Sequence, residues 1–66
     1  MNVTVNGDRI VVPESLTVTG LIQHLGMRLE RVAVERNMDV LPRSKWMATQ
    51  VETDDRYEIV QLVGGG

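Results

Sequence analysis

Apolar and polar positions alternate from the start of the chain, with Val3 and Val5 set between Asn2, Thr4 and Asn6. A period of two predicts a strand with one buried face. Asn6-Gly7 follows at once, and both residue types tolerate positive φ, so the pair predicts a tight hairpin turn. Ile10, Val11 and Val12 form the returning strand, which Pro13 ends by removing a ladder donor. The period then lengthens. Val18, Leu21, Ile22 and Leu25 recur at helical spacing and lay one apolar stripe along a helix. Thr17 is placed to cap it, and Leu16 to staple against Leu21 across the cap. Gly26 suits the left-handed position just past its end. Gly20, inside the helix, costs about 1 kcal/mol relative to Ala, which a close approach of helix to sheet would explain.

Alternation returns at Arg31-Val32-Ala33-Val34-Glu35, a third strand. Asn37 to Asp39 supplies a turn, and Val40-Leu41 a short fourth strand stopped by Pro42. Ser44 to Gln50 reads as a loop or a single helical turn that folds Trp46 onto the core. Asp54-Asp55 marks another turn, and Tyr57 to Val63 is the last strand. The order is β-β-α-β-β-β. One helix covers one face of a sheet and leaves the other open to solvent or to a partner. In the last strand Tyr57 and Ile59 point one way, and Glu58, Val60 and Leu62 the other. With Tyr57 and Ile59 facing the helix, Val60 and Leu62 lie on the open face. Ala33, between Val32 and Val34, joins them, and such a contiguous apolar group predicts a docking patch.

Sixty-six residues make one domain. There is no cysteine, so disulfides, thiolate metal sites and a cysteine nucleophile are all excluded. Any sulfur handled by this chain has no side-chain thiol to hold it. Seven basic residues are scattered among nine acidic ones, for a net charge of −2, and the only aromatics are Trp46 and Tyr57. No basic stripe interleaved with aromatics is present, which argues against a nucleic-acid partner. The sequence shows neither a long apolar run nor a signal peptide at Met1, so a cytoplasmic location is the expectation and no membrane partner is expected. His24 is the single histidine, without Cys or carboxylate at ligand spacing, and reads as a surface or boundary residue. Asp54 and Asp55 read as caps of backbone donors in a turn rather than a metal pair. No metal site, phosphate loop or Ser/His/Asp set is found.

The chain finishes on Gly64-Gly65-Gly66, directly after Ile59-Val60-Gln61-Leu62-Val63. Glycine loses the most backbone freedom on ordering and is a poor way to end a strand. Two readings stand. The three residues are a frayed terminus or a cloning remnant. Otherwise they are a thin tail without Cβ atoms, whose terminal carboxylate can be threaded into another protein's active site and activated there.

Three blocks of sequence bear on that choice: Arg31-Val32-Ala33-Val34-Glu35-Arg36-Asn37, Pro42-Arg43-Ser44-Lys45-Trp46, and Glu58 through Gly66. Together they resemble the thiamine-biosynthesis sulfur carrier family over essentially the whole chain. The hairpin and helix match in pattern more than in identity. The resemblance implies an α+β fold of β-grasp (ubiquitin-like) type, shared with ubiquitin and the small subunit of molybdopterin synthase. The fold would comprise a mixed four- to five-stranded sheet with one helix across one face. It implies a domain over residues 1–63 and a flexible glycine tail over 64–66. It also implies a mechanism: an adenylating, E1-like partner uses ATP to convert the Gly66 carboxylate to an acyl adenylate. Sulfur from a persulfide donor displaces AMP and leaves a thiocarboxylate, which thiazole synthase consumes.

On that reading the chain is a protein substrate, not an enzyme, and holds no cofactor of its own, since ATP and any metal sit on the adenylating partner. Partner contacts would come from Ala33, Val60 and Leu62, together with Val63, Gly64 and Gly65 leading to Gly66. Departures from the family pattern are Gly20, where a better helix former is usual, and Asp54-Asp55, where a Gly-Asp turn is common. Three alternatives remain at this level. Two share the chemistry, a molybdopterin synthase small subunit and a tRNA-thiolation carrier. The third is a β-grasp interaction module whose tail is inert.

Overall fold

Asn6 (φ 51°) and Gly7 (φ 85°) both take the left-handed backbone that closes a two-residue hairpin between β1 (Asn2–Val5) and β2 (Asp8–Val11). The structure, a computed structural model, describes residues 1–63; the proposed tail 64–66 lies outside the described residues. After the hairpin the chain crosses the sheet as α1 (Val18–His24). The Thr17 hydroxyl caps its start by accepting from the Gly20 N–H at 3.1 Å. At its end Gly26 (φ 75°) lets the Met27 N–H reach the Ile22 carbonyl and its own N–H reach that of Gln23, a Schellman closure. A 3₁₀ turn, Leu29–Arg31, leads into β3 (Val32–Arg36), followed by β4 (Asp39–Leu41), a second 3₁₀ segment Arg43–Ala48, and β5 (Arg56–Gln61).

The strands lie in the order β2-β1-β5-β3-β4. β5 is central: parallel to β1, antiparallel to β3. A parallel neighbour requires a crossover between the two strands. The whole middle of the chain, α1 included, supplies it. Val3 and Val5 of β1, Val32 and Val34 of β3, and Tyr57 and Ile59 of β5 are buried with Val18, Leu21 and Ile22 of α1. The second 3₁₀ segment buries Trp46, whose Nε1–H donates to the Leu41 carbonyl at 2.9 Å. The sheet with one covering helix is what the element order predicted, and its five-stranded form is the β-grasp arrangement that the family resemblance implied.

Several boundaries differ from expectation. β2 covers Asp8–Val11 and not Ile10–Val12, yet Val12 is buried and its N–H donates to the Met1 carbonyl at 2.8 Å. β3 begins at Val32 because Arg31 closes the preceding 3₁₀ turn. β5 ends at Gln61 rather than Val63, since the ladder continues past Val32 opposite Gln61 by a single bond, from Leu62 N–H to the carbonyl of Arg31, which already belongs to the 3₁₀ turn. Gly20 is crowded by the entering Leu16 and not by the sheet: a Cβ there would meet Leu16 Cδ2 at 3.2 Å.

Candidate functional site

The parity of β5 decides what the open face presents. Tyr57 and Ile59 are 1% and 3% exposed against the helix, whereas Val60 and Leu62 are 55% and 51% exposed on the other side. Ala33 is the register partner of Val60 and is likewise exposed. The structure therefore brings Ala33, Val60 and Leu62 onto one face, beside the point where the chain leaves the sheet. Val63 lies just past β5 and is exposed. Gly64, Gly65 and Gly66 lie outside the described residues.

One member of this face was missed. Val40, 76% exposed, is the β4 partner of Glu35 and lines a shallow cleft with Ala33, Val60, Glu35 and Glu58. A three-residue strand is too short to display a period, so the only signal was the β-branched valine itself.

The root of the tail is tied down. The Leu62 N–H donates to the Arg31 carbonyl at 2.7 Å, extending the β3–β5 ladder one residue past the strand. Arg28, Arg31, Gln61 and Leu62 line a groove at this end of the sheet. Arg43 stands on the other side of Leu62, its guanidinium 5.3 Å from the Trp46 ring centroid and its Nη2 donating to the Val32 carbonyl at 3.3 Å. This explains the Pro-Arg-Ser-Lys-Trp block. The 3₁₀ segment plants Trp46 in the core, and the buried ring holds Arg43 beside the tail-bearing end of the sheet.

Asp55 gathers a polar cluster at the opposite end. Its Oδ2 accepts from the Tyr57 hydroxyl at 2.8 Å, from the Glu52 N–H at 2.9 Å and from Arg36 Nε at 3.0 Å. Its Oδ1 accepts from Asn37 Nδ2 at 3.2 Å. Burial opposes ionisation of this carboxyl, but the donors from Glu52, Tyr57, Asn37 and Arg36 outweigh it and hold its pKa below the ordinary value. Burial, with the neighbouring Asp55, pushes the Tyr57 phenol well above its ordinary range. Capping of a backbone donor by Asp55 was legible in the sequence. Its pairing with Arg36 and Tyr57 was not. Asp54 points away and pairs with Arg9 at 2.9 Å on the surface.

Among the described residues no buried side-chain polar atom lacks a partner, and no group of three or more His, Cys, Asp or Glu residues is placed to hold a metal. His24 is exposed on α1. Among the same residues no helix is long and apolar enough to cross a membrane. The arrangement can bind a partner along the open face and present whatever follows Leu62 to it. The Asp55 cluster is fully satisfied and has no free group to offer a substrate.

Comparison with known proteins agrees with this geometry. A model described as the ThiS family matches residues 2–66. A crystal structure of a thiamine biosynthesis protein (ThiS) from Geobacter metallireducens superposes with a TM-score of 0.85 at 43% identity, covering all of both chains. A protein named thiazole synthase from Paramagnetospirillum magneticum is 38% identical over all 66 residues of this chain, as is another from Magnetococcus marinus. The chain spans only 20% of the length of each of these two relatives. An uncharacterized protein, ycf40, of Porphyra purpurea is 32% identical over the whole chain and 93% of its own length.

Proposed function

The chain belongs to the ThiS family, and from that premise we propose that it is a sulfur carrier of thiamine biosynthesis whose reactive group is the Gly66 carboxylate. The observation that carries this reading is the exposed group of Ala33, Val60 and Leu62, which stands beside the exit of a chain that ends in three glycines. A face that docks, leading straight to a chain end that fits a narrow cleft, is what a carried substrate needs.

A carboxylate is a poor acyl donor, so it must first be activated. Its oxygen attacks the α-phosphorus of ATP on the adenylating partner, pyrophosphate leaves, and an acyl phosphate anhydride forms. The terminal sulfur of a persulfide attacks the carbonyl carbon and AMP departs with the bonding pair, which leaves an acyl disulfide; a second thiol then attacks the donor's sulfur, forms a disulfide with it and releases the chain's end as a thiocarboxylate. Glycine at the terminus puts no side chain in the way of either attack. The partner supplies nucleotide, any metal and the sulfur nucleophile; this chain supplies a carboxylate and a shape. The chain itself is the substrate and not the enzyme. Gly66 lies four positions after Leu62, so the carboxylate reaches at most ~14 Å beyond the docked face. The match of the whole chain to one-fifth of two thiazole synthases supports thiazole synthase as the acceptor.

Intact-mass measurement tests the proposal. Protein from a host carrying the adenylating enzyme and a persulfide donor is expected to show one oxygen replaced by sulfur at the C-terminus. The variant lacking Gly65 and Gly66 is expected to show none while melting like the full chain, because both residues lie beyond the last described sheet bond at Leu62. An unmodified full-length chain, or a large fall in melting temperature on truncation, removes the basis of the proposal.

A further inference from the structure

The open face holds an electrostatic conflict that the fold does not resolve. Glu35 and Glu58 are register partners in the antiparallel β3–β5 pair, on the same face as Ala33 and Val60. Like charges directly opposite each other destabilise a sheet. Both side chains are exposed, and neither joins an ion pair among the described residues. The pairs found there are Arg9–Asp54, Arg36–Glu52 and Arg36–Asp55. Arg56, two residues before Glu58, lines a neighbouring cleft with both glutamates without pairing with either. The glutamates also form the wall of the apolar cleft of Ala33, Val40 and Val60.

The opposite charge stands at the other end. Arg28 and Arg31 line the groove beside Leu62 where the chain leaves the sheet. Leu62, one residue past the end of β5, lies four positions after Glu58, about 13 Å along the extended chain. That exceeds the screening length of ~8 Å at physiological salt, so each pole must be matched by a separate partner group.

We propose that this face receives the adenylating partner in a single orientation, with a basic side chain of that partner over Glu35 and Glu58 and with Arg28 and Arg31 turned toward its bound nucleotide. The inference rests on the carrier reading above. An apolar strip alone fixes neither direction nor register, and a tail this short must be aimed. The arrangement also suits the adenylation step in particular. A terminal carboxylate has to approach a triphosphate, anion to anion. The arginine pole on the tail side offsets that repulsion, and the acidic pole stands further back along the strands. A sulfur acceptor without a triphosphate makes no such demand.

Glu35→Lys separates docking from folding. It turns the opposed pair into Lys–Glu, which favours the sheet, so the variant is expected to melt at or above the wild-type temperature. Its KM in carrier-dependent ATP–pyrophosphate exchange by the adenylating enzyme is expected to rise about tenfold, with kcat changed less than about twofold. Glu58→Gln, which removes one charge without reversing it, is expected to raise KM by about threefold. The wild-type KM should climb with ionic strength more steeply than that of Glu35→Lys. An unchanged KM in the folded variants overturns the proposal. A defect confined to sulfur delivery to thiazole synthase also overturns it and assigns the face to that enzyme. A wild-type chain that is not adenylated at all fails at the earlier step, before any substitution, and takes both readings with it.

Discussion

The carboxamide of Asn6 pairs with both backbone groups of Ile59, accepting from its N–H at 2.8 Å through Oδ1 and donating to its carbonyl at 3.0 Å through Nδ2. The parallel β1–β5 ladder runs through Thr4 N–H to Asp55 and Asn6 N–H to Tyr57. There the chain must turn back into β2, and its backbone leaves the ladder. The Asn6 side chain takes over where a further peptide group would have bonded. One residue thus closes the hairpin and clamps the central strand that carries the tail.

Asn6→Gly tests that clamp cleanly, since glycine keeps the positive φ and loses only the carboxamide. A loss of about 1–3 kcal/mol is expected by urea unfolding, the cost of leaving two backbone groups of Ile59 without their partners. A change below about 0.5 kcal/mol would mean that water replaces the amide without penalty.

Asp55→Asn removes the acceptor charge on which Arg36 and Tyr57 converge, at a side chain only 7% exposed. Breaking such a pair is expected to cost about 2–4 kcal/mol near neutral pH. The folded pKa of Asp55 lies below its unfolded value. Its contribution is therefore complete above about pH 4, near the unfolded value, and fades as the pH falls through the folded one. Melting temperatures followed from pH 7 downward should fall more steeply for wild type than for Asp55→Asn. Parallel profiles would show that the carboxylate is not what acid titrates.

Gly20→Ala is expected to stabilise the domain by up to about 0.5 kcal/mol. The gain is the helix preference for Ala, about 1 kcal/mol, reduced by the contact of the new Cβ with Leu16 Cδ2 at 3.2 Å. That atom is the far end of a half-buried side chain and can give by the few tenths of an ångström required. A lower melting temperature would show Leu16 to be held rigidly.

Leu62→Asp places a charge in the centre of the proposed contact, between the grooves that Arg31 and Arg43 line. In the free domain the side chain is half exposed, so the change should cost no more than about 1 kcal/mol. On docking the charge would be desolvated in an apolar contact, a cost that the flanking Arg31 and Arg43 offset only in part, and affinity for the adenylating enzyme should fall at least about tenfold by calorimetry. Unchanged affinity would remove Leu62 from the interface.

Local pattern was enough for much of this molecule. The period of two in β1 and β5, the Asn6-Gly7 turn, the cap at Thr17 and the stop at Gly26 are all written within a few residues of where they act. The face assignment of Ala33, Val60 and Leu62 also followed from alternation alone, because successive strand side chains must point opposite ways. The glycine tail by itself left two readings open, and the chemistry proposed at Gly66 came from the family resemblance.

Tertiary structure decided what depends on register between distant segments. Asn6 and Ile59 are fifty-three positions apart, and no local signal distinguishes an asparagine that merely turns from one that also bonds another strand. The ends of β3 and β5 were set by where their ladder runs out. The crowding of Gly20 came from Leu16 because the chain entering the helix folds back over its first turn. Glu35 and Glu58 each read as an ordinary solvated residue in its own strand. Only the antiparallel pairing of β3 with β5 sets them opposite each other, and repulsion between two charges exists only once a fold has brought them together.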